Sequence, residues 1–411
     1  MSGVWSPPGL EDRPDTSPRA LNALRGDFDY FNVAGAGPTF PVAQRAAGAF
    51  RTWLNEVGMF SHVGYDAYNV ALDDTRRDLA AFVGDPGGES RIAVTQSATD
   101  GLNTLIAALP PGTIVTTAEE HGSALLPVWR RGELDSTVRS VAHRDDASFL
   151  ADVERAVSVG ASGLVISLVS CKSGKVLPVR EACAIARDRG AFTIVDAAQA
   201  TGQVPVDVRD LGADAVVLLG HKWLHGPLAT GAIWVAEPDR ILPPRLGWRS
   251  REKGKEGRVE LYPDARRFET GTVDAAAFVG LRQALIVHRL LGAEVGRRVA
   301  GLRALVLERL SGLAFDLVSR PQDPTGIIVV APRSGSALEI VTAMWQNERV
   351  VVKHLSEPGW PDAIRISFWA LHEPAAIDRL ATALERVLAG NAGAEPLRGT
   401  GVTSLIGAKP Q

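Results

Sequence analysis

The most informative residues of this chain lie in two short runs, Ile194-Val195-Asp196-Ala197-Ala198-Gln199 and Gly220-His221-Lys222-Trp223-Leu224. The first run ends an apolar strand with an aspartate, and the second, one strand later, sets a lysine beside a histidine. Taken singly, these residues would indicate a buried acid that closes a strand and a lysine on the surface. Together they predict a pyridoxal phosphate (PLP) site, which needs a carboxylate for the pyridinium nitrogen and an amine for a Schiff base.

Short β-branched runs alternate with helical patterns around these residues. The predicted strands are residues 91–96, 113–117, 163–169, 192–196, 215–219 and 231–236, and the predicted helices between them are 99–109 and 179–189. The run 163–169 is almost wholly apolar, as expected for a strand of a parallel sheet covered on both faces. The alternation predicts an α/β fold with a mainly parallel sheet and helices on both sides.

The C-terminal third predicts a second, smaller α+β domain. A long helix is expected from about residue 274 to 291, strands at 325–332 and 363–368, and a last helix at 375–388. A chain of 411 residues also exceeds the usual size of a single core. We therefore expect an N-terminal arm at 1–28 that belongs to the small domain, a large domain at 29–280, a small domain at 281–395 and a tail at 396–411.

Composition excludes several classes of protein. The chain is 45% hydrophobic and 22% charged, and its formal charge of −3 does not indicate a surface for nucleic acid or an anionic membrane. No apolar run approaches the ~20 residues of a membrane-spanning helix, and the first residues lack the pattern of a secretory signal. Two cysteines, Cys171 and Cys183, cannot form a disulfide framework. We expect a cytoplasmic protein, and no metal site is predicted.

The two runs resemble the class V aminotransferase family of fold-type I PLP enzymes, which includes cysteine desulfurases, kynureninases and isopenicillin N epimerases. The resemblance extends from about Tyr30 to about Leu380. The phrase His-Lys-Trp-Leu is closer to the epimerase-like branch than to the desulfurases. The resemblance implies a large domain built on a mainly parallel seven-stranded-type sheet, a smaller α+β domain, and PLP as cofactor.

The resemblance also implies roles for the residues around the cofactor ring. Lys222 matches the lysine that forms the Schiff base and then moves the α-proton, so it is the first candidate for catalysis. Asp196 matches the partner of the pyridinium nitrogen, and Gln199 the partner of the phenolic oxygen. His121 matches the histidine that stacks on the ring, where an imidazole can also exchange protons near neutral pH.

A second group of residues matches the family's phosphate contacts. Ala98 and Thr99 stand where a strand turns into a helix, and the N–H groups of a helix N-terminus bind anions. His221 matches a further phosphate contact. Gly271 and Thr272, in the run Phe268-Glu269-Thr270-Gly271-Thr272, match the segment that reaches the phosphate of the neighbouring subunit. The resemblance therefore implies a homodimer with its active sites at the interface.

Substrate contacts complete the expected site. Arg365 matches the arginine that binds the substrate α-carboxylate, for which a two-pronged guanidinium is suited. Asn32 matches a loop that lines the substrate pocket. Cys171 stands where the family commonly has an asparagine, and Leu219 where desulfurases carry a phosphate-binding serine. Desulfurases also need a nucleophilic cysteine on a small-domain loop, and residues 325–365 contain none, so desulfurase chemistry through a persulfide is not expected.

These features predict an enzyme that acts at Cα or Cβ of an α-amino acid. We expect a C–S β-lyase that cleaves a cysteine S-conjugate in small-molecule (secondary metabolite) biosynthesis. A decarboxylating oxidative deaminase, an amino-acid epimerase and an aminotransferase remain alternatives, because the fold does not specify the reaction. A non-catalytic scaffold would have no need of the lysine, aspartate, glutamine and histidine of the cofactor site.

The segment 245–267 is crowded with Arg, Lys and Glu and has little apolar periodicity. It is either a solvated loop or a loop that orders over the active site. In the second case it would contact a bulky polar substituent on the sulfur of the substrate.

Overall fold

The structure of the protein is a computed structural model that describes residues 6–22, 24, 26–157, 160–252, 259–357 and 360–390. Outside these residues lie the start of the predicted arm, residues 253–258 of the charged segment, and the predicted tail 396–411. In chain order the strands are β1 (Asp29–Tyr30), β2 (Ile92–Thr95), β3 (Thr113–Thr117), β4 (Thr137–Val141), β5 (Ala161–Ser167), β6 (Phe192–Asp196), β7 (Ala215–Leu219), β8 (Gly231–Val235), β9 (Phe315–Leu317), β10 (Ile327–Pro332), β11 (Val350–Val351), β12 (Lys353–Leu355) and β13 (Ala363–Ser367).

Helices connect most of these strands. They are α1 (Pro18–Leu21), α2 (Pro41–Val57), α3 (His62–Phe82), α4 (Ala98–Ala108), α5 (Gly122–Leu134), α6 (Asp146–Ala156), α7 (Val179–Asp188), α8 (Val208–Leu211), α9 (Ala275–Leu291), α10 (Glu294–Leu310), α11 (Ala337–Glu348) and α12 (Pro374–Gly390). Single 3-10 turns lie at Glu89–Arg91 and Ala265–Phe268.

The large sheet of the described residues has seven strands in the order β2-β8-β7-β6-β5-β3-β4. All neighbouring pairs are parallel except those of β8, which runs antiparallel to β2 and β7. The α/β architecture with a mainly parallel seven-stranded sheet is thus confirmed. Because β5 ends at Ser167 in register with Asp196 at the end of β6, the predicted strand-end acid lies at the carboxyl edge, where α/β folds bind ligands.

Two apolar layers cover this sheet because successive side chains of a strand point to opposite faces. Val165, Ile194 and Val217 belong to one cluster with the side chains of α4 and α5. Their neighbours Leu164 and Val195 belong to the other cluster, with α6 and α7. Strands β5, β6 and β7 are buried along their whole length, which explains why their sequences are apolar at almost every position rather than at every second one.

A second sheet is antiparallel, in the order β12-β13-β10-β9, and β1 pairs with β11 in a small parallel ribbon. Helices α10, α11 and α12 pack together beside this sheet. The strands and the last helix predicted in the C-terminal third correspond to β10, β13 and α12. Strand β13 adds Arg365 to the same region of the molecule as the carboxyl edge of the large sheet.

Helix α9 connects the two sheets. It packs against α2 and α3, and 13 of its 17 residues are buried. The domain boundary expected between residues 280 and 281 falls inside this continuous helix, and we propose that the change of domain occurs at the break before α10. No single helix of the described residues is long and apolar enough to cross a membrane; α9 and α10 together meet that criterion only as a pair bent by 78°.

The predicted arm contains one element that the sequence analysis did not expect. Ser17 caps the single helical turn α1, because its Oγ accepts a hydrogen bond from the N–H of Ala20 at 3.3 Å, and Pro18 occupies the first helical position. Proline suits that position, where its missing N–H would have no helical partner. The described part of the arm thus contains one short helical turn.

Buried histidines join the lysine loop, α9 and the second sheet. The ring of His225 stacks on Phe40 with centroids 4.8 Å apart, and both His225 and His288 contact Trp369, at 4.5 and 5.1 Å. The Nδ1 atom of His225 lies 2.9 Å from the carbonyl oxygen of Pro38. Burial lowers the pKa of His225 to about 3 and that of His288 to about 4. Both rings are thus uncharged in the folded protein at neutral and mildly acidic pH.

We predict that these histidines destabilise the protein in acid. The unfolded chain protonates histidine near pH 6.5, so between about pH 6.5 and 4 it binds more protons than the folded protein, and the free energy of unfolding falls as the pH falls. For one histidine the loss from pH 7 to pH 5 is ~2 kcal/mol. Urea unfolding of His288→Phe at both pH values should show a smaller loss by about that amount. Substitution of the exposed His62 by Phe is the control, and an unchanged pH dependence in His288→Phe would contradict the prediction.

Candidate active site

A cavity of about 400 Å³ lies at the carboxyl edge of the large sheet, beside β12 and β13. Its walls bring together most of the predicted site residues, namely Asn32, Ala98, Thr99, His121, Cys171, Asp196, Gln199, His221, Lys222 and Arg365. Several other lining residues have no site role predicted from the sequence, among them Ser97, Ser123, Ser167 and Lys353. Gly271 and Thr272 are not among the lining residues; Thr272 lines a separate surface depression.

Asp196 lies at the base of the cavity because β6 ends there. Its carboxylate accepts a hydrogen bond from the N–H of Ala198 at 2.8 Å. Burial raises the pKa of Asp196, while Lys222 and His121 act in the opposite direction. Because burial disfavours its charged form, the Asp196 carboxyl group would readily share a proton with a basic nitrogen placed next to it.

Glu120 is a buried acid that the sequence analysis missed. Its carboxylate accepts hydrogen bonds from the hydroxyl of Thr117 at 2.7 Å and from the N–H of Ser167 at 2.9 Å, and it also contacts the Ser167 hydroxyl. Burial raises the pKa of Glu120 to about 7. The signal in the sequence was an acid three residues after a buried strand, next to His121. Glu120 holds the end of β3 to the end of β5, directly below the cavity.

Lys222 follows β7 on a loop whose backbone is tightly held. The N–H of Gly37 donates to the carbonyl oxygen of His221 at 2.9 Å, and a Cβ atom on Gly37 would lie 2.0 Å from the carbonyl oxygen of Lys222. Only glycine permits this approach. Burial lowers the pKa of the Lys222 ammonium, against the attraction of Asp196. The amine is therefore more readily available as a nucleophile and base than that of an exposed lysine.

Gln199 links the lysine loop to the N-terminal segment. Its Oε1 accepts a hydrogen bond from the indole N–H of Trp223 at 2.8 Å, and its amide nitrogen donates to the carbonyl oxygen of Ala34 at 3.0 Å. A side-chain amide carries two N–H groups. One therefore remains for a ligand in the cavity, as the predicted contact with a phenolic oxygen requires.

His121 caps the N-terminus of α5. The N–H of Ser123 donates to its Nδ1 at 3.1 Å, and the Ser123 hydroxyl, 2.9 Å from Nδ1, lies 2.7 Å from the hydroxyl of Thr99. Since Nδ1 accepts, the proton of the neutral ring belongs on Nε2. Burial lowers the pKa of His121, and the charge of Lys222 lowers it further.

The opposite end of the cavity suits an anion. Ala98 and Thr99 lie in the first turn of α4, where backbone N–H groups have no helical acceptor. The Nδ1 atom of His221 is buried without a hydrogen-bond partner among the described residues. Asp100, the acid in this turn, is engaged by Arg245 at 2.6 Å. Because Arg245 neutralises Asp100, the N-terminus of α4 can bind a further anion.

Arg365 reaches the cavity from the second sheet. Its guanidinium donates to the carbonyl oxygen of Cys171 at 3.0 Å and to Oδ1 of Asn32 at 3.4 Å, and its Nε is buried without a partner in the described part of the chain. Burial lowers the pKa of Arg365. The thiol of Cys171 lies in the same wall, and burial raises its pKa to about 11. The wall thus offers a cation without a carboxylate and a thiol that stays protonated.

The charged segment is anchored at its described ends. Arg249 lies 3.3 Å from the Glu269 carboxylate and over the ring of Tyr68, and the hydroxyl of Ser250 donates to the carbonyl oxygen of Glu269 at 2.7 Å. Glu269 also forms a buried ion pair with Arg76 at 2.6 Å. The described part of this segment is therefore a packed connection beside α3 and α4, and not a solvated loop throughout.

The donor set fits PLP. On one side of the cavity lie the carboxyl group of Asp196, the amine of Lys222 and the remaining amide N–H of Gln199. On the other side lie the N–H groups of the first turn of α4 and the unpaired Nδ1 of His221. PLP presents a ring nitrogen, an aldehyde, a phenolic oxygen and a phosphate, which call for these partners. No group of His, Cys, Asp and Glu in the described residues is arranged to hold a metal ion.

Comparisons with known proteins agree with this fit. Residues 30–380 match the family model named Aminotransferase class-V. A probable cysteine desulfurase of Mycolicibacterium paratuberculosis is 28% identical over 345 residues, which are 78% of this chain but only 50% of that protein. The isopenicillin N epimerase of Amycolatopsis lactamdurans is 30% identical over 237 residues, which are 54% of this chain and 59% of that protein. The cystine C–S lyase C-DES in complex with cysteine persulfide has the same fold, with a TM-score of 0.80, 24% identity, and coverage of 87% of this chain and 97% of that one.

We predict that Lys222 is the residue that binds PLP covalently. Borohydride reduction followed by peptide mapping should find the pyridoxyl group on this lysine, and Lys222→Ala should carry none, because its amine is the one buried beside Asp196. Lys353→Ala, which removes the other lysine of the cavity, is the matched control and should keep the adduct. A pyridoxyl group on any other lysine would refute the assignment.

Proposed function

Because the chain belongs to the aminotransferase class-V family of PLP-dependent enzymes, we propose that it is a C–S β-lyase that acts on a cysteine S-conjugate. The observation that carries this proposal concerns sulfur. Relatives named as desulfurases suggest chemistry at the sulfur of cysteine. However, residues 325–365, where a desulfurase would carry its nucleophilic cysteine, contain no cysteine. The thiol in the cavity, that of Cys171, is buried, and its pKa is raised to about 11. Since a protonated thiol is a poor nucleophile, sulfur would be released and not retained on the enzyme.

Arg365 supports an α-amino acid as substrate. Its guanidinium is buried, has no carboxylate partner among the described residues, and lines the cavity together with Asn32. Leaving such a cation unpaired is costly, and a carboxylate that accepts two hydrogen bonds from it would remove that cost. We propose that the α-carboxylate of the substrate binds there.

The cavity residues also support proton transfer at Cα. When bound, PLP supplies an electron sink that weakens the bonds at Cα of an attached amino acid. Asp196 would hold a proton against the ring nitrogen, since burial raises its pKa. Lys222 Nζ, whose pKa is lowered by burial, would accept the proton from Cα. The Lys222 ammonium formed in this way would then protonate the departing sulfur, and the neutral His121 would donate a hydrogen bond from Nε2.

The overall reaction consumes one water molecule. The Cα–H and Cβ–S bonds break, the sulfur leaves with the bonding electron pair and is protonated to a thiol, and the remaining carbon skeleton hydrolyses to pyruvate and ammonia. No oxidant or reductant is required. We propose that the reaction serves small-molecule biosynthesis in the cytoplasm, where the thiol would be the useful product.

Epimerisation at Cα is the second candidate. Inversion requires that a proton be removed from one face of Cα and returned to the other. Two lysines, Lys222 and Lys353, line the cavity, and one relative carries the name isopenicillin N epimerase. Decarboxylation and transamination have no comparable support from the residues of the cavity.

We also propose a homodimer, in which Gly271 and Thr272 complete the phosphate site of the partner. Thr272 lines a surface depression with Phe60 and Trp248, whose side chains are 77% and 47% exposed. Large aromatic side chains exposed together are typical of a surface that another molecule covers. A second copy of the chain would cover them and bring its own Thr272 to the first copy's cavity.

We predict that the holoenzyme releases thiol, pyruvate and ammonia in equal amounts from cysteine S-conjugates. Cys171→Ser should retain this activity within about threefold, because the thiol is proposed to take no part in sulfur transfer. Product analysis by mass spectrometry in deuterated water measures both outcomes. Inversion at Cα without thiol release, measured by chiral chromatography, would establish epimerisation in place of the lyase reaction.

For the dimer, we predict that inactive Lys222→Ala and Thr272→Asp chains complement each other. In a mixed dimer one site keeps its own Lys222 and receives an intact Thr272 from the partner. Random reassembly makes half of the dimers mixed, so about a quarter of wild-type activity should return. Lys222→Ala mixed with itself is the control, and a fully active monomer in sedimentation would disprove the shared site.

A further inference from the structure

Lys353 and Arg365 form a cationic pair on one wall of the cavity. In the antiparallel register of β12 and β13 these two residues are direct partners. Side chains of directly opposed residues lie on the same face of a sheet, with Cβ atoms about 4.5–5.5 Å apart. Both residues line the cavity, with Arg365 buried and Lys353 exposed towards the solvent.

Among the residues that the structure describes, neither cation of the pair has a carboxylate partner. The other charges nearby are already matched: Lys172 binds Glu357 at 2.5 Å, and His354 binds Asp362 at 2.6 Å. Within the described residues no acid lies at ion-pair distance from Lys353 or Arg365. Two like charges directly opposed on a sheet destabilise it, so an anion bound between or beside them would remove an existing repulsion.

The two cations differ in what they can bind. The buried guanidinium of Arg365 is a rigid fork suited to the α-carboxylate, as proposed above. Lys353 is a flexible point charge that lines the cavity beside Arg365 and is exposed to solvent, so it would be within reach of the substituent of a substrate anchored at Arg365. Arg245 and Arg249 are not available for this task, because Asp100 and Glu269 engage them.

We propose that the natural substrate carries a second acidic group, and that Lys353 recognises a carboxylate on the substituent of sulfur. The proposal rests on the proposed function, since it assigns the substrate class of the same site. It makes Lys353 a residue that determines specificity and not one that takes part in the bond changes. A substrate of this class has two carboxylates, and each of them would pair with one of the two cations.

The test compares two conjugates of equal size, S-(2-carboxyethyl)cysteine and its amide S-(2-carbamoylethyl)cysteine, with the holoenzyme. We expect kcat/KM about tenfold higher for the acid, the size of one charge-assisted hydrogen bond. Lys353→Gln should remove this preference and leave the amide unaffected. Lys353→Glu should disfavour the acid and improve S-(2-aminoethyl)cysteine. Arg333→Gln, which removes an exposed positive charge beyond the end of β10, should keep the preference.

Binding is measured separately from turnover. The α-methyl derivatives of the two conjugates have no Cα–H, so their dissociation constants can be read from the change in cofactor absorbance. A tenfold preference for the acid that is lost in Lys353→Gln supports the anion site, whether or not thiol is released. Failure of every conjugate to release thiol would overturn only the lyase proposal. Equal binding of acid and amide by the wild type, or a preference unchanged in Lys353→Gln, overturns the anion site even if thiol is released.

Discussion

The burial of charged groups in one cavity is the constraint on which the site depends. Asp196, Lys222 and Arg365 all lie in the wall of one cavity, and burial shifts the pKa of each towards its neutral form. Isolated buried charges are costly, so such groups persist where a ligand or a neighbour completes them. The site is therefore incomplete as a protein structure alone. The cofactor and the substrate supply the missing partners, and their binding free energy includes relief of that cost.

The large sheet makes this concentration of charge possible. Its central strands are packed on both faces, so their polar side chains are found where the strands end and not within the apolar core. Ser167 and Asp196 end neighbouring strands in register, and the loop after β7 brings the lysine to the same edge. The second sheet closes the cavity from the other side through β12 and β13. In the proposed function, residues at the edge of the large sheet would bind the cofactor, and residues of the smaller sheet would bind the substrate.

The sequence predicts best what depends on local pattern. Asp196 and Lys222 could be located because each follows an apolar strand in a short motif, and the cavity contains both. Glu120 and Lys353 could not, because their importance comes from contacts with β5 and β13, far away in the sequence. The roles predicted for Gly271 and Thr272 require contact with a second chain, and the fold of one chain does not show that contact. The boundary predicted between residues 280 and 281 lies within α9, because the apolar pattern of that helix shows no break; the division into domains stays a prediction.

The close approach of Gly37 to the lysine loop has a stereochemical consequence. The carbonyl oxygen of Lys222 is held against a residue with no side chain, and Trp223 is tied to Gln199 in the next position. The backbone of the lysine is thus fixed from both sides, and only rotation about its side-chain bonds can move the amine. If Lys222 is the base, as proposed, its amine would reach the reacting carbon from a single side. The handedness of proton transfer would then depend on a glycine in another part of the chain.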